Sequence, residues 1–324
     1  MNIVAPEQII IYFIDLIFIF FSVIFLKTSI TMIRRFDFNS STTFQYTLEK
    51  KNTLISAIVS FLILLKLPLI FFFLYLLDSL SSSIPGAMCA VGVLNSTPYG
   101  AYLIILKVTI LFVLGYWFYI NKFDLQTYGF KYTKLKYRLL IFITLLIILE
   151  FLLEINLFNN ISPEKIVSCC GSVFGGELRQ FSTFLINIEN SLSVLAIIVV
   201  FVVMTLAFMF KKYRLYGFTV FFFLLTAIYS LIDFFSTYIY ELPTHRCPFC
   251  ILQRDYNHIG YVLYFLLFFG TFYGSNLLVL SNITSEKTKR VWINISYAMC
   301  LIYILIVSFY VLKYYIGNGV WLTD

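Results

Sequence analysis

Cys247 and Cys250 frame Pro248 and Phe249, and the chain's two histidines, His245 and His258, flank the same stretch. A Cys-x-x-Cys pair closes a short disulfide ring whose potential is easily tuned, and its thiolate is a nucleophile. Gathering both imidazoles and two of the six cysteines into about 14 residues points to chemistry rather than packing. Three readings fit these residue types. The first is thiol–disulfide exchange at Cys247 and Cys250, with Cys89, Cys169 and Cys170 as further exchanging thiols. The second is a zinc or copper site built from His245, Cys247, Cys250 and His258, with Met88, Cys89, Cys169 and Cys170 as extra sulfur ligands for Cu(I). The third is an inert disulfide. A c-type haem attachment is excluded, because Ile251 and not His follows Cys250.

The elements that must hold these residues are membrane spans. Of 324 residues 61% are hydrophobic and 12% charged, where soluble domains run to about a quarter charged. The apolar residues fall in runs of about 18 or more, each enough to cross the hydrocarbon core as a helix. The expected fold is an all-α integral membrane protein of about eight spans. They are placed at Ile9–Leu26, Leu54–Leu77, Ala101–Ile120, Leu139–Phe158, Leu192–Phe210, Gly217–Tyr240, Ile259–Leu280 and Val291–Tyr315. Basic residues crowd alternate connections: Lys27 to Lys51, Lys122 to Arg138, Lys211 to Arg214, and Lys287 to Arg290. The positive-inside rule makes those connections cytoplasmic, so both termini face outward. The net charge of +7 is then a topology signal and not the footprint of a nucleic-acid surface.

In this topology Cys89, Cys169, Cys170, Cys247 and Cys250 all lie in outward loops, where disulfides persist. Cys300 falls inside a span and is read as a small packing residue. The first run lacks the basic flank of a signal peptide, so it is expected to be a retained span in a bacterial inner membrane. Pro85 precedes Cys89 at the spacing at which Pro243 precedes Cys247, and Asp78 and Asp233 lie upstream of the two. This suggests two parallel four-helix halves, 1–190 and 191–324, with Cys89 facing the Cys247 loop. Adjacent Cys169 and Cys170 bond to each other only under strain, so each is expected to pair elsewhere or bind metal. A shuttle disulfide with Cys89 and a structural one both remain open.

The run Cys247-Pro-Phe-Cys250-Ile-Leu-Gln253-Arg254 resembles the Cys-x-x-Cys-Ile-x-Glu/Gln-Arg signature of the bacterial disulfide-bond-forming membrane oxidoreductases, the DsbB family. The resemblance covers about 20 residues. It implies that Cys247 and Cys250 pass electrons from exported thiols to a membrane quinone, with Arg254 and Gln253 at the quinone contact. That family has four spans and places its second cysteine pair after the Cys-x-x-Cys. The related vitamin K epoxide reductase family places its loop cysteines before it, as here.

Span 7 begins just after the motif, so Cys250 is expected in its first turn, where the helix dipole and the nearby Arg246 and Arg254 would favour a thiolate. Charges within the spans are the other functional candidates. Lys107 lies roughly 9 Å from the outer surface, and Glu154 and Glu150 roughly 6 and 12 Å, so Lys107 is expected to pair with one of them. Glu150 and Glu154 share a helix face, and Lys66 lies near the midplane beside Pro68. Trp117, Trp292 and Trp321 fall near predicted span edges, as interface residues do.

The expected activity is thiol–disulfide exchange coupled to quinone, serving a periplasmic thiol protein. The alternatives are copper or zinc handling for an exported metalloenzyme, and a non-catalytic membrane subunit. The bilayer is the one partner that all three share.

Overall fold

The structure, a computed structural model, describes residues 6–37, 42–127, 130–161, 190–243 and 245–322. The described residues form helices joined by short connections, and eight of these helices are long and apolar enough to cross a membrane. The protein is therefore an all-α multi-pass membrane protein. The helices are α1 (Pro6–Arg35), α2 (Thr43–Ser81), α3 (Ala90–Asn95), α4 (Gly100–Gln126), α5 (Thr133–Asn159), α6 (Asn190–Met209), α7 (Tyr213–Ser230), α8 (Ser236–Tyr240), α9 (Ile259–Val279) and α10 (Glu286–Asn318). A π-helical turn, Leu231–Phe235, joins α7 to α8 within one continuous span. The helices overrun the apolar runs that reveal them. α2 has 39 residues, starting at a Thr42 cap whose hydroxyl accepts from the Gln45 N–H.

The chain divides into two compact units: Met1–Ile84 with Ser96–Lys165, and Pro85–Asn95 with Ile166–Asp324. The segment carrying Cys89 thus packs within the second unit.

Unit 1 is a bundle in which α5 packs on α1 and α4, and α2 packs on α1 and α4. Its core runs from Phe18, Phe25 and Met32 through Leu48 and Val59 to Trp117, Tyr137 and Ile147. Near one end of the bundle Lys136 is fully buried, with its Nζ 2.9 Å from Asp124 Oδ2, 2.8 Å from Asn52 Oδ1 and 3.1 Å from Asn121 Oδ1. Asp124 in turn accepts from the Tyr132 N–H and the Thr133 hydroxyl, so both charges are paired and hydrogen-bonded. A buried pair persists only under such conditions.

Unit 2 packs α9 against α10 and α7, and α7 against α6. Small residues set how close these helices come. A Cβ on Gly274 would stand 2.7 Å from Val220 Cγ2 and 2.8 Å from Ser296 Oγ. Ser296 donates to the Gly270 carbonyl at 2.6 Å, the small-residue and hydroxyl packing typical of spans. Cys300 is buried at this seam, in keeping with a packing role. Apolar side chains such as Phe13, Phe61, Leu64, Phe221 and Phe265 remain exposed, and these faces meet the bilayer. Two of the three tryptophans depart from the interface expectation. Trp117 and Trp292 are 0% and 2% exposed because they fill helix seams, while Trp321 is exposed.

Candidate functional site

In unit 2 the α7–α8 span ends where Glu241 turns left-handed (φ 57°) and returns its N–H to the Thr237 carbonyl. The chain then runs through Pro243 to Cys247 and makes two short 3-10 turns, Cys250–Leu252 and Arg254–Tyr256. Cys250 is thus not in the first turn of span 7. Gln253 is extended, and Asn257 and His258 are both left-handed, so a continuous helix cannot form until Ile259. With a one-turn helix there is no dipole worth invoking for the thiol. Gly260 lets α9 lie against this turn, since a Cβ there would meet Ile251 Cγ1 at 2.8 Å and Leu252 Cδ2 at 2.9 Å. Ile251 itself is wholly buried.

Two tyrosines fasten the loop from the helix side. The Tyr240 hydroxyl donates to the Cys247 carbonyl, and the Tyr264 hydroxyl donates to the Pro248 carbonyl at 2.5 Å. Half-buried Arg246 reaches Asp233 at 3.3 Å, and Asp233 sits in the π-helical turn. π turns are frequent at functional sites, because the extra residue re-aims the side chains around it.

The segment Pro85–Asn95 brings Cys89 to this loop, turning at Gly86 (φ 83°) before the short helix α3. Cys89 Sγ lies 3.4 Å from Cys247 Sγ, and the sulfurs of Cys89, Cys247 and Cys250 all lie within 4.8 Å of one another. All three are buried, and none is in a disulfide. At 3.4 Å the first two are at hydrogen-bonding distance for sulfur, beyond the about 2.05 Å of a bond.

Cys247 is the acid of the group: its pKa falls from 9.0 to about 4 because the Cys250 thiol, then the Cys89 thiol, hydrogen-bond to its sulfur. Burial opposes this, and the backbone N–H groups of Phe249 and Cys250 add to it. Cys250 moves the other way, since donating to Cys247 holds its proton in place. The expected help from Arg246 and Arg254 is not the source of this shift: Arg246 faces Asp233, and Arg254 is exposed. The arrangement is one thiolate held by two thiols, the state from which a disulfide can form in either direction.

The histidines lie around the sulfurs without joining them. His245 packs edge-on against Tyr240 with ring centroids 4.4 Å apart, and burial pushes its pKa below the usual 6.5, keeping it neutral. His258 is exposed and bonds through Nδ1 to the Leu252 carbonyl at 2.6 Å. The group of three sulfurs therefore contains Cys89 in place of either histidine. Gln253 Nε2 reaches the Met88 carbonyl at 3.5 Å, a second tie between the two cysteine segments. Cys169 and Cys170 lie outside the described residues.

The intramembrane charges gather in unit 1. Lys107 meets both Glu150 and Glu154 at 2.8 Å, and Lys66 meets Glu150 at 2.9 Å and Asp15 at 3.6 Å. The sequence reading paired Lys107 with one glutamate, and the structure gives it both. It had passed over Asp15, although an acid in the middle of an apolar run was the signal.

No protein-family model, curated protein or solved structure matches the chain.

Proposed function

We propose that the protein is a membrane thiol–disulfide oxidoreductase in which Cys247 is the central sulfur, exchanging between Cys250 and Cys89. The observation that carries this is the buried group of three sulfurs, with Cys247 Sγ 3.4 Å from Cys89 Sγ and all three within 4.8 Å, contacts that also lower the Cys247 pKa. Exchange needs a thiolate, a sulfur to attack and a short path, and a thiol with a depressed pKa also leaves readily.

In the oxidising half-reaction, Cys247 and Cys250 give up two electrons and the Cys250 proton to form their disulfide. A quinone, the electron acceptor implied by the DsbB-like run, takes the two electrons, that proton and one from solvent to become quinol. Cys89, as thiolate, then attacks Cys247, forming the Cys89–Cys247 bond and releasing Cys250, which takes up the Cys89 proton. A substrate dithiol reduces Cys89–Cys247 through a mixed disulfide on Cys89, leaving as a disulfide, returning Cys89 as thiol and Cys247 as thiolate, and giving its second proton to solvent. The sum is dithiol plus quinone to disulfide plus quinol. Gln253 and exposed Arg254, three and four residues after Cys250, are assigned to the quinone contact. Alternation of the basic connections supports a reading in which both cysteine segments face outward from a bacterial inner membrane and the dithiol belongs to an exported protein.

One observation favours a second reading. Three buried cysteine sulfurs within 4.8 Å suit a three-coordinate Cu(I) ion, held by Cys89, Cys247 and Cys250. Zinc needs a fourth ligand, and neither histidine joins the group. The test is quinone reduction by purified protein supplied with a dithiol peptide. Turnover that is lost in Cys247→Ser and Cys250→Ser supports the oxidoreductase. Absent turnover together with one copper per chain, lost in the same variants, replaces it with copper handling for an exported metalloenzyme.

A further inference from the structure

Among the described residues, the charges buried in unit 1 do not balance. Asp15 on α1, Lys66 on α2, Lys107 on α4, and Glu150 and Glu154 on α5 are each no more than 8% exposed. Ionised, they are three carboxylates against two ammoniums. Both lysines are anchored in the charged form: each has an acid at 2.9 Å or less, and each stands over an aromatic ring, Lys66 over Phe18 at 4.8 Å and Lys107 over Phe73 at 4.3 Å. The surplus is one negative charge in the low-dielectric interior of a span, which is costly enough to be neutralised rather than tolerated.

The surplus can be located from the hydrogen bonds. Glu150 is held by both lysines, and the second oxygens of Asp15 and Glu154, Oδ2 and Oε1, are buried without a donor. Lys66 joins Asp15 to Glu150 and Lys107 joins Glu150 to Glu154, so the three acids form one cluster, in which a proton on a carboxyl supplies the donor that a second cation would otherwise have to supply. Asp15 also lines a small cavity with Lys66, Lys107 and Glu150, with about 20 Å³ of water-accessible space, room for about one water. A metal cation would need several oxygens and would sit beside two ammoniums. Among the described residues, the polar groups next to these acids are neutral: Tyr12, one turn before Asp15, and Gln8, which donates to the Tyr12 hydroxyl at 3.3 Å.

We infer that unit 1 is a proton-binding site within the membrane, taking one exchangeable proton shared by Asp15 and Glu154, with the cavity water as its route of exchange. This goes beyond the thiol chemistry of unit 2 and does not rest on it. It is also distinct from the Lys136–Asp124 pair, where one cation meets one anion and no proton is called for.

The test is infrared spectroscopy of the full chain in lipid nanodiscs. It follows the C=O stretch of protonated carboxyl groups from mildly acidic to alkaline pH, in H2O and D2O. Wild type should show a buried-carboxyl band at neutral pH that shifts in D2O and titrates away at alkaline pH. Asp15→Asn, which is nearly isosteric and restores two charges against two, should lack the band at neutral pH, as should Glu154→Gln. Should Glu154→Gln fail to fold, Asp15→Asn still decides. A difference titration of wild type against Asp15→Asn should find one extra proton released on going alkaline. No band in wild type, a band kept in Asp15→Asn, no shift in D2O, or a band seen only after sodium is removed would each overturn the inference, the last in favour of a sodium site.

Discussion

The two units bury opposite chemistry. Unit 1 encloses carboxylates and ammoniums and, among its described residues, no cysteine. Unit 2 encloses three clustered thiols, and its described ion pairs reach solvent, Arg246–Asp233 partly and Lys289–Glu286 at the surface. The difference lies in how each stores charge. A thiolate needs only thiol and amide donors, so one negative sulfur can sit buried without a counter-cation. Carboxylates in a span need ammonium partners or a proton. In the proposed reaction unit 2 gives up its thiolate charge and the Cys250 proton together with two electrons, whereas any change in unit 1 moves a proton or breaks an ion pair without electron transfer.

The largest test of that contrast is Lys107→Met, which leaves Glu154 without its cation and three acids facing one lysine. Removing one partner of a buried network costs about 3–5 kcal/mol, read as loss of unfolding stability in detergent. Asp15→Asn should cost little or nothing, since it removes the surplus charge. Equal losses in the two variants would mean that the cluster is an ordinary network with no charge imbalance.

On the unit 2 side the decisive change is in reactivity. Alkylation of Cys247 should be nearly independent of pH above about 5 and fall as pH drops through about 4, because the reacting thiolate is lost there. Cys250→Ala removes the leading donor and should move that fall upward by at least about one unit, a tenfold loss of thiolate on the acid limb. Mass-spectrometric quantification of the alkylated Cys247 peptide against pH measures this. An unmoved profile would mean that the Cys250 hydrogen bond does not hold the thiolate.

The spans, their number and the positions of Cys89, Cys247 and Cys250 between them were legible in the sequence, because apolar runs and loop residues are local signals. What brings the three sulfurs together was not. The Gly86 turn and the transfer of Pro85–Asn95 to unit 2 are tertiary facts, and the equal spacing of Pro85 and Pro243 from their cysteines only hinted at them. The histidines misled the ligand set, since closeness in sequence put His258 within reach while its left-handed backbone and its bond to Leu252 turn it away. Asp15 and the Lys136–Asp124 pair illustrate the opposite error. Each charge was visible, but Lys136 counted as one basic residue of a connection and Asp15 drew no reading, because charge balance can be counted only once the helices are packed.

A smaller effect probes the scaffold of the thiol loop. Gly260→Ala pushes a methyl group into Ile251 and Leu252 at under 3 Å, so either α9 or the 3-10 turn must move. Overpacking of this kind costs about 1–3 kcal/mol. If the turn is what yields, Cys250 shifts relative to Cys247 and the alkylation profile of Gly260→Ala should approach that of Cys250→Ala. A stability loss with an unchanged profile would show α9 yielding instead.

The smallest expected effect is at Asp233. Its partner Arg246 is 27% exposed, so solvent screens the pair, and Asp233→Asn should change stability by no more than about 1 kcal/mol. The comparison with unit 1 makes this variant informative, because Asp233 is as buried as Asp15, at 6% exposure each, yet its cation reaches water. Arg246 precedes Cys247 directly, so releasing it loosens the main chain that carries the thiolate without touching a sulfur. The expected result is an unchanged pH profile with slower quinone-linked turnover, restored by Asp233→Glu if reach to Arg246 is what matters. A loss of several kcal/mol would instead make Asp233 a buried charge of the unit 1 kind and remove the distinction between the units.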